Sequence, residues 1–234
     1  MAVTMYDRVP EIYPYPIPTR RPIAWVTWAL VGTTVAVYIL QLLGYFLLGD
    51  DIVGNALAFS EQSLAEDRYW TVLTYAWAHA VPMPDTSGIF WLHIVLNMVP
   101  LVCLGPTLEE ILGHVRFLGL YLGGAIFSAL VWYAFSGNID EPIIGASGAV
   151  FAIIAAVGTA LPHVRVTVLL FYVLPLRMSM GILAVGACAI EVASIIFKWM
   201  PEVAHSAHLG GAAFGFLYVL AVRMTSRSRP YLAD

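Results

Sequence analysis

Six apolar stretches constrain this chain more than any other feature of its sequence. A run of ~17–25 apolar residues is long enough to cross the hydrocarbon core of a bilayer as a helix. Charged residues make up only 11% of the chain, whereas a soluble domain has about 25%. The sequence therefore predicts an all-α polytopic membrane protein with a bundle of six transmembrane helices. The predicted spans are residues 22–48, 88–104, 117–135, 145–161, 178–197 and 205–222.

Polar segments divide the chain into one membrane domain and two short tails. Residues 1–21 are predicted to form a cytoplasmic N-terminal tail, residues 22–222 the six-helix membrane domain, and residues 223–234 a cytoplasmic C-terminal tail. A long amphipathic loop, residues 49–88, separates the first two helices and is predicted to lie half-immersed in the membrane interface. The apolar run at residues 166–176 is too short to span, so it is predicted to be interfacial or re-entrant.

The positions of the eleven cations predict the topology. Cytoplasmic loops of membrane proteins are enriched in Lys and Arg. With the N-terminus inside, the outer loops hold Arg68 and Lys198, and the inner segments hold all the others. Both termini are therefore predicted on the inner side. The lack of soluble domains and of organelle targeting predicts a prokaryotic plasma membrane. The inner cations are Arg8, Arg20, Arg21, Arg116, Arg165, Arg177, Arg223, Arg227 and Arg229.

A serine between small residues opens the fourth apolar stretch, in the sequence Gly145-Ala146-Ser147-Gly148. One interpretation is structural, because serine is a common N-cap and glycines let membrane helices pack closely. The other is chemical, because a serine hydroxyl with little steric cover can serve as a nucleophile. A nucleophilic serine needs a base to take its proton and donors to stabilise an oxyanion.

Other polar residues fall at the predicted depth of Ser147. On the N-in topology, Ser147, His93 and His208 all lie near the outer ends of their helices, so the site is predicted to open to the outer side. His208 is the candidate general base. His93 and Asn97 are four residues apart and share a helix face, so both could donate to one oxyanion. Glu191 is the only acid within the predicted spans, and it is predicted to lie too deep to reach His208. The sequence therefore predicts a Ser–His dyad and no triad.

Small residues provide a way to bring Ser147 and His208 together. Gly211 and Gly215 are four apart on the sixth helix, as are Gly148 and Ala152 on the fourth. Faces of this kind allow two membrane helices to approach closely. The sequence therefore predicts that the sixth helix packs directly on the fourth.

Three motifs follow one another along the chain: His93-x-x-x-Asn97, Gly145-x-Ser147-Gly148 and Ala207-His208-x-Gly210-Gly211-x-x-x-Gly215. With these motifs in this order, the chain resembles the rhomboid family of intramembrane serine proteases over about residues 22–222. Gly105-x-x-x-Glu109 and His79 also resemble family features. Two positions depart from the pattern. Thr71 follows Trp70 where many members have Trp-Arg, and Phe151 stands where bacterial relatives often have a tyrosine.

The resemblance implies a role for each matched residue. Ser147 would be the nucleophile, His208 the general base, and His93 and Asn97 would line the oxyanion hole. The reaction would be hydrolysis of a peptide bond in or near the transmembrane helix of another membrane protein, without cofactor or metal. The implied partners are such substrates and the lipid bilayer, with no nucleic acid. No oligomeric state is predicted.

Two other functions are compatible with parts of the pattern. A pseudoprotease would use the same fold to bind transmembrane helices without cutting them, although helix binding alone needs neither Ser147 nor His208. A small transporter could line a path with His93, Asn97 and Glu191, although these residues cluster at one depth and do not trace a route across the bilayer. The two cysteines, Cys103 and Cys188, lie in different apolar segments and suggest neither a disulfide framework nor a zinc site.

Overall fold

The structure is a computed structural model that describes residues 23–82, 90–135, 142–170, 174–201 and 203–227. The predicted N-terminal tail and the end of the C-terminal tail lie outside these residues. The described chain is predominantly helical, with one two-stranded sheet. Its helices are α1 Trp25–Leu48, α2 Ile52–Leu57, α3 Glu61–Ala65, α4 Thr71–Thr74, α5 Trp91–Leu112, α6 His114–Phe135, α7 Ser147–Ala160, α8 Met180–Phe197 and α9 His205–Arg227.

Five helices in the described parts of the chain, α1, α5, α6, α8 and α9, are long and apolar enough to cross a membrane. The helix α7, the fourth predicted span, has 14 residues, which gives a length of ~21 Å against a hydrocarbon core of ~30 Å. Ten of these residues are buried, so α7 is a core helix that the longer helices surround. Six crossings with both termini inside stay a prediction.

The second long helix does not end where its sequence predicts. Gly105 and Pro106 were expected to stop it, yet α5 continues through Pro100 and Pro106 to Leu112. Tertiary packing explains the continuation, since membrane helices tolerate proline and glycine where neighbours compensate. A Cβ atom at Gly105 would lie 2.8 Å from Thr27 Cγ2, so the glycine allows α5 to approach α1 closely.

The all-α prediction is wrong between α7 and α8. The strands β1 Arg165–Leu170 and β2 Leu174–Ser179 form an antiparallel β-hairpin, paired from Arg165–Ser179 to Leu170–Leu174. A short apolar run does not distinguish helix from strand by periodicity. Here the β-branched residues Val166, Thr167 and Val168 favour a strand, and the pairing satisfies backbone groups that an unpaired segment would leave open.

The loop between α1 and α5 is compact over its described part, residues 49–82. Asp51 connects it to α1, because its Oδ2 accepts from Gln41 Nε2 at 2.8 Å while its Oδ1 accepts from Gly54 N at 2.8 Å. Thr71, the departure from the family pattern, is fully buried, donates to Arg68 O at 2.6 Å and contacts Ser63 Oγ at 2.9 Å. Thr71 therefore anchors this loop through its hydroxyl.

The predicted contact between the fourth and sixth apolar segments is confirmed. A Cβ atom at Gly211 would overlap the carbonyl oxygen of Gly148, and one at Gly215 would overlap that of Ala152. The backbones of α9 and α7 therefore touch along two turns. This contact places the first turn of α9 beside the first turn of α7.

Candidate active site

Ser147 and His208 form a hydrogen bond at the end of the α7–α9 contact. Ser147 Oγ lies 2.8 Å from His208 Nε2. The helix cap of α7 is Ala146, which makes no side-chain cap bond, so the hydroxyl of Ser147 contacts the imidazole in place of capping its own helix. The ring of Phe151 stacks on His208 with centroids 4.5 Å apart and planes inclined by 6°. Phe151 therefore holds the ring orientation without a hydroxyl group.

Glu191 reaches His208, so the prediction that it lies too deep is wrong. Its Oε1 is 3.0 Å from His208 Nδ1, the ring nitrogen opposite the one that faces Ser147. The two atoms form an ion-pair contact without hydrogen-bond alignment, since His208 Nδ1 has no aligned hydrogen-bond partner among the described residues. The helix α8 begins at Met180 after the hairpin, and this register brings Glu191 level with the first turn of α9. An acid within an apolar span was the available sequence signal.

A second histidine, His205, completes a chain of contacts that starts at Ser147. Its Nδ1 is 2.5 Å from Glu191 Oε2, and its Nε2 donates to Trp199 O at 2.9 Å and to Met200 O at 3.1 Å. Carbonyl oxygens only accept, so Nε2 carries a hydrogen. The short Nδ1–Oε2 contact then requires one further proton between His205 and Glu191. From the sequence, His205, three residues before His208, could be either a supporting residue of the site or an interfacial one.

His93 has the tautomer that an oxyanion donor needs. Its Nδ1 accepts a hydrogen bond from Ala80 N at 3.2 Å, so the hydrogen of the neutral ring lies on Nε2. This Nε2 faces Gly145, because a Cβ atom built there would lie 2.6 Å away. Gly145 has a φ of +111°. Both the backbone angle and the lack of room for a Cβ atom therefore require glycine at this position, two residues before Ser147. Because glycine has no side chain, the Nε2–H of His93 stays uncovered.

Asn97 lies on the same face of α5 as His93, as predicted, and one of its two amide hydrogens already forms a hydrogen bond. Its Nδ2 donates to His93 O at 2.8 Å and would lie 3.8 Å from a Cβ atom at Gly145. The second amide hydrogen remains for a substrate. Its Oδ1 is buried with no hydrogen-bond partner among the described residues. The structure therefore brings all four predicted site residues to one place.

His79 contacts the backbone just before Ser147. It is fully buried, its Nδ1 donates to Trp77 O at 3.2 Å, and its Nε2 accepts from Ala146 N at the long distance of 3.5 Å. Burial, with a further contribution from the adjacent His93, lowers the pKa of His79 to about 3. A neutral ring therefore connects the loop after α4 to the residue before Ser147.

Comparison with known proteins identifies the family. The family model of the Rhomboid domain matches residues 66–225, which include every residue of the site. The chain belongs to the rhomboid family.

Curated rhomboid relatives come from several kingdoms. The chain is 34% identical over 157 residues to presenilin-associated rhomboid-like protein A, mitochondrial, of Danio rerio, covering 65% of this chain and 40% of that protein. It is 26% identical over 205 residues to rhomboid protein 1, mitochondrial, of Saccharomyces cerevisiae, covering 82% and 52%. With RHOMBOID-like protein 5 of Arabidopsis thaliana it shares 29% over 172 residues, covering 71% and 48%. This rhomboid thus spans about half the length or less of these relatives.

The relatives overturn one prediction. A prokaryotic plasma membrane was predicted from the lack of soluble domains and of organelle targeting, and the cation count placed the opening of the site on its outer side. The plasma-membrane prediction is wrong, because the fish and yeast rhomboids that match this chain are mitochondrial by name. The prediction of a multi-pass membrane protein is supported by the five long apolar helices of the described chain.

Proposed function

We propose that this rhomboid is an intramembrane serine endopeptidase, which hydrolyses a peptide bond in or near the transmembrane segment of membrane-protein substrates. The observation that carries the proposal is the 2.8 Å contact between Ser147 Oγ and His208 Nε2. A serine hydroxyl is a weak nucleophile unless a base takes its proton. Binding of a transmembrane helix without cleavage would need no such pair.

The site supplies each step of an acyl transfer. His208 Nε2 accepts the proton of Ser147 as Oγ attacks the substrate carbonyl, and the resulting imidazolium then donates that proton to the leaving amine. Glu191 stabilises the imidazolium through its contact with Nδ1. A water molecule, deprotonated by His208, hydrolyses the acyl-enzyme and restores Ser147. The two-residue dyad predicted from sequence thereby becomes a Ser147–His208–Glu191 arrangement.

Three donors are available for the oxyanion of the tetrahedral intermediate. They are the Nε2–H of His93, the second amide hydrogen of Asn97 and the backbone N–H of Ser147. The last belongs to the first turn of α7, where N–H groups have no acceptor within the helix. The gap that Gly145 leaves beside His93 gives the oxyanion room.

The names of the fish and yeast relatives favour a mitochondrial membrane as the compartment of this protein.

The test is cleavage of a single-pass model substrate in liposomes. We expect cleavage by wild type and a loss of about 10⁴-fold or more in Ser147→Ala and His208→Ala. His163→Ala, in the exposed turn after α7, is the matched histidine control and keeps wild-type activity. Cleavage by Ser147→Ala at the wild-type rate would refute the proposal. If folded wild type neither cleaves nor reacts at Ser147 with a fluorophosphonate, the chain is a pseudoprotease.

A further inference from the structure

We propose that Glu191, His205 and His208 form an inhibitory site for a divalent transition-metal ion, with Zn²⁺ as the ion that suits it best. Glu191 Oε1 or Oε2, His205 Nδ1 and His208 Nδ1 are the ligand atoms, and one from each residue lies within 4.8 Å of the others. The three residues are 8%, 8% and 9% exposed, respectively. The inhibitory effect rests on the proposed protease function, whereas the binding site does not.

The ligand set and its spacing fit Zn²⁺. Two imidazoles and one carboxylate are a set that binds zinc, with bonds of about 2.0–2.2 Å and a further position for water. Ligand atoms around a tetrahedral zinc ion of that size lie roughly 3.3 Å apart. The carboxylate of Glu191 is 3.0 Å from His208 Nδ1 and 2.5 Å from His205 Nδ1. Side-chain movements of less than about 1 Å would therefore admit the ion.

The opposite ring nitrogens are already held as metal-bound histidines require. A ligating imidazole usually donates its other N–H to an oxygen, which fixes the tautomer and the ring orientation. His205 Nε2 donates to Trp199 O at 2.9 Å, and His208 Nε2 lies 2.8 Å from Ser147 Oγ. Both Nδ1 atoms therefore face the common centre next to Glu191.

An independent observation concerns His208 Nδ1. This atom is buried and has no aligned hydrogen-bond partner among the described residues, although the carboxylate of Glu191 is within 3.0 Å. A buried polar atom without a partner is costly. When the ring hydrogen moves to Nε2, the lone pair freed at Nδ1 can bind a metal ion next to the carboxylate, which gives this buried nitrogen an aligned partner.

Metal binding at Nδ1 would stop the proposed protease. The ion coordinates the Nδ1 lone pair of the neutral His208 ring, so the ring hydrogen moves to Nε2. The single proton between Glu191 and His205 is released to solvent. An Nε2–H can donate to Ser147 Oγ but cannot take its proton, so the nucleophile is no longer activated.

The experiment measures binding and inhibition separately, on the full chain in detergent. Co²⁺ is titrated as a spectroscopic probe, and ZnCl₂ then displaces it. We expect one bound Co²⁺ per chain with the visible absorption of a tetrahedral site, lost on adding Zn²⁺. Ser147→Ala keeps all three ligands and still gives the tetrahedral spectrum, with its affinity lowered by no more than the about 10–100-fold that loss of an outer-shell partner costs. His205→Ala and Glu191→Gln each weaken binding more than about tenfold, the least that loss of even an outer-shell partner costs. His163→Ala is the control.

Inhibition is read from the rate at which a fluorophosphonate labels Ser147. We expect saturating Zn²⁺ to slow labelling of wild type at least about tenfold. His205→Ala, scaled to its own metal-free rate, then needs more than about tenfold higher Zn²⁺ for the same effect. Absence of the tetrahedral Co²⁺ spectrum, or unchanged affinity in both His205→Ala and Glu191→Gln, would overturn the site. Bound metal with unchanged labelling would overturn the inhibition. If wild type is not labelled even without metal, the proposed function fails, and the Co²⁺ titration still decides the site.

Discussion

Two buried glutamates in the described chain, Glu109 near the end of α5 and Glu191 in α8, face opposite ends of the bundle. Glu109 is 1% exposed and Glu191 is 8% exposed. Each forms a hydrogen bond with the Nδ1 atom of a histidine, Glu109 with His114 at 2.6 Å and Glu191 with His205 at 2.5 Å. By residue type, burial and histidine partner the two sites are alike. Their other partners differ.

Glu109 accepts hydrogen bonds from the start of α1, mainly from backbone N–H groups. Its carboxylate accepts from Val26 N at 3.0 Å, from Thr27 N at 2.8 Å and from Thr27 Oγ1 at 2.7 Å. These N–H groups belong to the first turn of α1, where no acceptor exists within the helix. Glu109 thus caps α1 from the neighbouring helix. The described contacts of Glu191 come from the ring nitrogens of His205 and His208. A carboxylate held by backbone donors fixes helices, whereas one held by imidazoles can orient a base.

The largest effect is expected from Glu191→Gln on catalysis. An amide cannot stabilise the imidazolium of His208, so kcat should fall by about 10²–10⁴-fold, with KM nearly unchanged. The thermal midpoint should change little. Cleavage kinetics in liposomes check this, and a wild-type kcat would leave Glu191 a structural role only.

Glu109→Gln reverses that pattern and is the matched substitution. The amide retains one acceptor for three donors, so buried N–H groups of α1 lose a partner and the free energy of unfolding should fall by about 2–4 kcal/mol. The folded fraction should keep kcat within about threefold. Denaturation in detergent, together with kinetics at a temperature where the variant is folded, measures both. Strong loss of kcat with wild-type stability would remove the contrast between the two glutamates.

Two glycines extend the comparison to the backbone. Gly145 beside the site has a φ of +111° and Gly113 between α5 and α6 has a φ of +77°, and both are strained for alanine. A Cβ atom at Gly113 meets nothing within 4 Å in the described structure, whereas one at Gly145 meets His93 Nε2 at 2.6 Å. Both alanine variants should lose about 1–3 kcal/mol of stability from backbone strain, and Gly145→Ala should lose more, because its Cβ atom also meets the His93 ring. Only Gly145→Ala should also lower kcat, by about 10–100-fold. Equal kcat in the two variants would argue against an oxyanion site at His93.

The smallest effect concerns acid stability. Burial lowers the pKa of His79 to about 3 in the folded protein, while an unfolded histidine has a pKa of about 6.5. Below pH 6.5 the unfolded chain binds more protons, so stability is lost as pH falls from 6.5 toward 3, by up to about 1.4 kcal/mol per pH unit. His79→Gln should flatten this slope, and the exposed His163→Gln should not. Thermal midpoints from pH 7.5 to 5.5 test it. An unchanged slope in His79→Gln would contradict the neutral buried ring.

The sequence predicted most of the fold because long apolar runs and small-residue faces are local signals. The contact of Gly211 and Gly215 with α7 follows from such a face. The pairing of β1 with β2 was missed because the periodicity of a short apolar run does not distinguish helix from strand, and the β-branched residues that favour a strand were not weighed. The continuation of α5 past Gly105 depends on Thr27, a distant residue in sequence.

Within the site, the sequence predicted the residues that share one helix face or lie on two helices with small-residue faces, and it misplaced Glu191, which neither signal marks. His93 and Asn97 share a face of α5 at any register, and the tight α7–α9 contact fixes Ser147 near His208. Glu191 lies on a third helix, α8, and no motif in the sequence marks the face of α8 that contacts His208, so depth counting placed Glu191 too deep. His205, three residues before His208, was left as either a supporting residue of the site or an interfacial one.

The most direct measurement is the rate at which a fluorophosphonate labels Ser147 in liposomes, since it needs no knowledge of the substrate. We predict labelling of wild type and none of Ser147→Ala, with the rate reduced by about 10³-fold or more in His208→Ala. Glu191→Gln should slow labelling in the wild-type background and add nothing to His208→Ala, because Glu191 acts through His208. Labelling of His208→Ala at the wild-type rate would contradict the account that His208 activates Ser147.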